Sequence, residues 1–109
     1  NGENVENVLK QNGKVIGYFH GHTHWDNIII PSQSGANFPY IATVNSWCIK
    51  TKLPDNVSEY LGTPTVYDRT YDTYSEYAFD IVTINCDNGE INMYRFGVGN
   101  DRTYTPENN

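Results

Sequence analysis

Apolar positions fall along this chain in short bursts whose spacing changes from one segment to the next. In residues 4–11, Val5, Val8 and Leu9 recur at i, i+3, i+4, the signature of an amphipathic helix. Asn12-Gly13 follows at once, and this pair predicts a left-handed stop. The next segment, KVIGYFH, is nearly continuous in apolar residues: Val15, Ile16, Tyr18 and Phe19. A short unbroken run predicts a strand buried on both faces, as in a parallel or mixed sheet covered by helices. Helix, tight turn and buried strand together form the second half of an α/β unit.

Further strands are predicted at Asn27 to Ile30, ended by Pro31, and at 40–45, YIATVN. Between them PSQSGANFP reads as loop. In residues 54–77 the tyrosines Tyr67, Tyr71, Tyr74 and Tyr77 have helical spacing. The intervening Thr, Asp and Ser are weak helix formers, so the segment reads as an ordered loop with Tyr rings packed onto a sheet. The clearest element is a hairpin. FDIVTINC and EINMYRF flank Asp87-Asn88-Gly89, and Asn-Gly between two β-rich runs is a strong hairpin signal. The last residues, GVGNDRTYTPENN, read as a Gly-rich turn and a polar tail.

A length of 109 residues allows one domain at most, with a thin core. Aromatics at 14%, nine of them Tyr, argue against disorder. The net charge of −6, with no basic cluster, argues against nucleic-acid binding and against adhesion to anionic lipid. The longest aliphatic run, Ile28-Ile29-Ile30, is far too short to span a bilayer. The chain opens at Asn1 without a basic or apolar leader, so a processed or excised piece of a longer protein is expected, and localisation stays open. Cys48 and Cys86, 38 positions apart, fit neither a zinc knuckle nor a redox pair and read as two buried thiols.

The chemistry concentrates in one place. All three histidines, His20, His22 and His24, sit within five residues at the end of the apolar strand. Strand ends of α/β sheets carry ligand sites because a rigid base holds an accessible loop. Gly21 would permit a sharp turn or a close backbone approach. Imidazole is the commonest metal ligand at neutral pH. Two imidazoles one residue apart can reach one metal, or one each of two metals roughly 3.5–4 Å apart. A fully extended segment would instead place His20, His22 and His24 on one face, making a three-His zinc site in a non-catalytic, β-rich binding or interaction module. His20 alone reads as a strand-end residue satisfied by hydrogen bonds. Asp26 is either a turn residue or the partner that orients a metal-bound His. Arg102 is either part of a solvated tail or a bidentate fork for phosphate. Trp25 fits core packing better than the wall of a cleft, and Arg69 has no supporting context.

Gly21-His22-Thr23-His24 after KVIGYF resembles the Gly-His-x-His motif of calcineurin-like metallophosphoesterases. FDIVTINCDNGEINMYRFGVGNDR, preceded by YDTYSEYAFD, resembles the C-terminal end of a bacterial and phage branch of that family. The resemblance covers residues 14–24 and about 71–102. It implies an α/β fold, the C-terminal part of a four-layer α/β/β/α sandwich ending in a β-hairpin, with residues 1–109 a partial domain. It implies two metal ions, Mn, Fe or Zn, with His22 bound to one and His24 to the other, and a metal-bridging hydroxide that attacks phosphorus. Asp26 and Arg102 are the candidate substrate-binding residues. The family's Asp-x-His, Gly-Asp-x-x-Asp and Gly-Asn-His-Asp/Glu motifs and its general-acid His are absent from the chain, as in a C-terminal fragment. The implied partners are a phosphate-ester substrate and the N-terminal part of the same domain. The isolated chain is expected to bind metal weakly, to lack activity and to self-associate through uncovered sheet edges.

Overall fold

The computed structural model describes residues 2–47 and 52–106. It is a small mixed α/β domain, rich in strands, with two three-stranded sheets. Helix α1 spans Gly2–Lys10, as the Val5, Val8, Leu9 spacing predicts. Its end is not the left-handed glycine that was expected, since Gly13 does not take a positive φ. Instead the Asn12 side chain accepts the Lys14 N–H at 3.0 Å, an Asx turn that competes with helix continuation.

The first sheet has the order β1-β3-β2. β1 (Tyr18–His20) runs parallel to β3 (Tyr40–Ala42), and β2 (Asn27–Ile29) runs antiparallel to it. The sheet is mixed, as the sequence suggests, but β1 is not buried on both faces. It is a three-residue edge strand, Phe19 is 43% exposed, and Ile16 just before it is 47% exposed. Part of the expected loop after Ile30 is one helical turn, α2 (Pro31–Ser34). Pro31 starts it, where a missing N–H costs nothing, and Gly35 closes it at φ +79° with its N–H on the Pro31 carbonyl.

The second sheet has the order β4-β5-β6, all antiparallel. β4 (Ala78–Ile84) and β5 (Ile91–Gly97) form the predicted hairpin. Gly89 supplies the left-handed residue of its turn, and its N–H bonds the Asn85 carbonyl at 2.8 Å. The polar tail proves to be a strand. β6 (Arg102–Tyr104) pairs with β5 and buries Tyr104 against the core. Cys86 is exposed in the hairpin turn, contrary to the buried-thiol reading, because the turn projects it away from both sheets. Cys48 and any pairing with it lie outside the described residues.

The sheets meet through Ile41 of β3, Ile91 and Met93 of β5 and Tyr104, with Ile28 and Ile30 packed alongside. The strand period of two explains the choice: Ile91 and Met93 alternate with Asn92 and Tyr94, which face outward. The outward face carries Phe79, Ile81, Tyr94 and Phe96, all exposed, with Phe79 and Phe96 stacked at 5.0 Å. β4 is also an edge. Val98 N–H bonds the Tyr77 carbonyl and Asn85 N–H the Glu90 carbonyl, so odd-numbered residues of β4 pair with β5. Asp80, Val82 and Ile84 therefore turn their backbone groups to the other side, where Ala78 N–H meets the Ser46 carbonyl at 3.2 Å. Residues 54–77 form the predicted ordered loop, with single 3-10 turns at Val57–Glu59 and Tyr74–Glu76, but Tyr60, Tyr71, Tyr74 and Tyr77 are exposed rather than packed down, Tyr74 meeting the outward Phe96 edge-on. No helix among the described residues is long and apolar enough to cross a membrane.

Candidate functional site

The histidine loop runs from the end of β1 to the start of β2. Adjacent amides fasten its two ends to the chain after β3. Thr43 N–H bonds the His20 carbonyl at 3.1 Å, and Val44 N–H bonds the Asp26 carboxylate at 3.1 Å. Asp26 also pairs with Thr65 through both backbone groups, at 2.9 Å each. Between these anchors the chain turns sharply, and the turning residues are the histidines. His22 lies at φ +75° and His24 at φ +63°. Non-glycine residues pay about 1–3 kcal/mol for this conformation and keep it only where surrounding structure imposes it. Gly21 has no positive φ, and a Cβ added there would meet nothing within 4 Å. The glycine is thus not what permits the turn.

The left-handed pair also removes the extended geometry that would line up His20, His22 and His24. Among the described residues, no three His, Cys, Asp or Glu side chains come together in a way that could hold a metal ion. His22 is exposed, while His20 and His24 are half-buried. The His20 ring Nδ1 lies 3.4 Å from the Gly21 carbonyl. Between the two motif histidines, the Thr23 hydroxyl is buried without a hydrogen-bond partner among the described residues. Thr23 as a residue lines a cavity of about 200 Å³ together with His20, Trp25, Tyr40 and Tyr60. Trp25 is buried, meets Tyr60 edge-on at 5.3 Å and forms part of that cavity's wall, so it combines packing with lining a cleft. The donor set among the described residues does not make a dinuclear metal centre by itself.

Asp26 and Arg102, the candidate substrate-binding pair, spend their polar atoms inside the chain. The Asp26 Oδ1 takes Arg95 Nη2 at 2.8 Å and the Val44 N–H; Oδ2 takes Arg95 Nη1 at 3.0 Å and the Tyr67 hydroxyl at 2.8 Å. Four donors fill the carboxylate, which leaves little capacity to accept from a histidine ring. The Arg102 fork closes on Asp80, Nη1 to Oδ1 at 2.9 Å and Nη2 to Oδ2 at 2.7 Å. Arg95 Nε completes the network on Asp80 Oδ1 at 2.9 Å. The Arg95 side chain is 1% exposed, Asp26 and Asp80 7% each, and Arg102 15%. Arg102 is thus neither a solvated tail residue nor an open phosphate fork.

Asp80 and Arg95 carry a sequence signal of their own. They are directly opposed across the hairpin, on the face that also carries Ala78, Ile91 and Met93. Opposite charges at paired inward positions point to a buried ion pair. Arg69 carries no comparable signal. It is buried and donates to the Ser75, Asn45 and Glu76 carbonyls at 2.8–2.9 Å, which orders the tyrosine-rich loop.

Burial opposes charge on Asp80, but the hydrogen bonds from Arg102 and Arg95 outweigh it and hold its pKa below the usual value. Tyr67 is pushed up to about 12, first by burial and then by its hydrogen bond to Asp26. A lowered acid pKa in the folded state stabilises above the unfolded value and loses that stabilisation on acidification. A raised tyrosine pKa stabilises below the unfolded value and loses it on alkalinisation. Urea-unfolding midpoints are therefore expected to hold through neutrality, to fall below about pH 4 as Asp80 protonates, and to fall again from about pH 10 upward. In Tyr67→Phe the alkaline fall should shrink. A midpoint flat down to pH 2.5 would show that the network contributes nothing through charge.

No family model, curated protein or solved structure matches the chain.

Proposed function

We propose that this chain is the C-terminal portion of a metal-dependent phosphoesterase, contributing His22 and His24 as imidazole ligands to a centre completed by other polypeptide. The observation that carries the reading is the Gly-His-Thr-His loop itself. Two neighbouring histidines are held at left-handed φ, at the end of a sheet strand, in a segment fastened at both ends. Strain of this kind concentrates at functional sites, where geometry is worth more than local stability. The hairpin that follows later in the chain, FDIVTINC to EINMYRF, supports the same reading by its order after the motif.

The reading requires acidic ligands and a general acid from outside this sequence. Two imidazoles leave most of a coordination shell to be filled. Among the described residues, β1 and the part of the β4 edge beyond Ala78 are where the remainder of a four-layer α/β/β/α sandwich would join. The substrate is a phosphate ester, with the metals drawn from Mn, Fe or Zn. The test uses the complete gene product with Mn²⁺ and para-nitrophenyl phosphate. His22→Ala and His24→Ala are each expected to lower kcat by at least 100-fold, on the order of what removal of a metal ligand costs. Hydrolysis unchanged in both variants would overturn the reading, as would a complete gene product without the Asp-x-His and Gly-Asn-His motifs.

A further inference from the structure

We infer that Arg95 is a positioning residue for the histidine loop, acting through Asp26. The inference rests in part on the proposed ligand role of His22 and His24, but its geometry stands apart from it. Arg95 lies on β5, and Asp26 follows His24 by two residues, 69 positions earlier in the chain. Two parallel N–H to oxygen bonds, at 2.8 and 3.0 Å, join them. Such bidentate pairs fix orientation as well as distance.

Arg95 is itself held on every side. Its Nε bonds Asp80, its Nη1 bonds the Val98 carbonyl at 2.7 Å, and its backbone N–H bonds Asp101 Oδ1 at 2.8 Å. The guanidinium therefore has one placement, and it transmits that placement to the Asp26 carboxylate. The carboxylate in turn grips the Val44 amide, next to the amide that holds the other end of the loop. The left-handed φ values of His22 and His24 need an external constraint of this kind. Within the described residues, this clamp shares that role at the C-terminal end of the loop with the backbone pairing of Asp26 and Thr65: the pairing fixes the backbone of Asp26, and the clamp fixes its carboxylate on Val44.

The experiment follows the backbone ¹³Cα and ¹³Cβ shifts of His22 and His24 by NMR in the whole chain, without metal. Arg95→Lys keeps the charge and loses the fork. The two histidines are expected to lose their left-handed shift signature in this variant, while β3 and the β4–β5 hairpin keep theirs. Arg95→Gln, which keeps an N–H donor without the charge, gives the same readout if the lysine variant does not fold. Glu76→Gln, in the separate Arg69 loop, should leave both histidines unmoved. Histidine shifts unchanged in a folded Arg95 variant would overturn the inference.

A Mn²⁺ titration then separates the two claims. Paramagnetic broadening of His22 and His24 in the parent chain, weakened about tenfold in the Arg95 variant, supports both, since partners that orient ligands contribute on this scale. No broadening in the parent chain counts against the ligand role alone, and the shift result still decides the positioning role.

Discussion

Asp26→Ala is expected to lower folding stability by about 3–5 kcal/mol, the usual cost of removing one partner from a buried ion pair. The argument does not depend on the ion pair being strongly stabilising in itself. Bringing Arg95 and two carboxylates out of water is costly, and their mutual attraction largely offsets that cost. Deleting Asp26 removes the attraction and leaves the cost. Arg95 would keep Asp80 but lose two hydrogen bonds at full burial, and the Val44 amide and Tyr67 hydroxyl would lose their acceptor. Asp26→Asn keeps an acceptor for Val44 but loses the charge, and should fall between the two. The double variant Asp26→Ala, Arg95→Met should recover part of the loss, because no unpaired charge then stays buried. Denaturant midpoints of the four proteins check this. A cost under about 1 kcal/mol for the alanine variant would mean that the network is a bystander to folding.

Gly97→Ala is expected to be the most damaging glycine substitution in the chain. Gly97 ends β5 at φ +102°, opposite Ala78. An added Cβ would lie 1.9 Å from the Tyr77 carbonyl oxygen and 2.5 Å from its carbon. That carbonyl cannot retreat easily, because it accepts the Val98 N–H at 2.9 Å. The backbone conformation alone costs about 1–3 kcal/mol in a non-glycine residue. With the steric conflict, the expected total is about 3 kcal/mol or more. Thermal unfolding of Gly97→Ala beside Gly13→Ala provides the comparison. Gly13 has no positive φ and open space around it, so its variant should stay within about 0.5 kcal/mol. Equal melting temperatures for the two variants would contradict the account.

What the sequence reveals here divides along physical lines. The hairpin and α1 are local: turn residues and side-chain periodicity specify them without help from distant chain, and both are legible. The β2 and β3 positions are also legible, though the strands are shorter than their apolar runs. The extent of β1 is not. An unbroken apolar run reports a preference for burial, whereas burial itself depends on what lies beside the strand. β6 escapes notice because a three-residue strand of Arg, Thr and Tyr has no apolar run. It forms because β5 offers it an edge.

At the candidate site, the clustering of His22 and His24 is plain in the sequence, and the source of the turn is not. Glycine is the usual carrier of a left-handed backbone, so Gly21 draws the attention that belongs to its neighbours. Asp26 and Arg102 stand out for their chemistry, but their roles depend on Asp80 and Arg95, which only the fold brings to them. Charge alone on a strand does not say whether its partner is a substrate or another residue.

The adjacent amides of Thr43 and Val44 also set a ruler for the histidine loop. The two points it must reach are one residue apart on β3's extension while five residues intervene, so the loop folds back on itself instead of stretching between them. An inserted residue can therefore bulge out at the exposed Gly21–His22 tip, whereas drawing Thr43 and Val44 apart would open one of the fastenings.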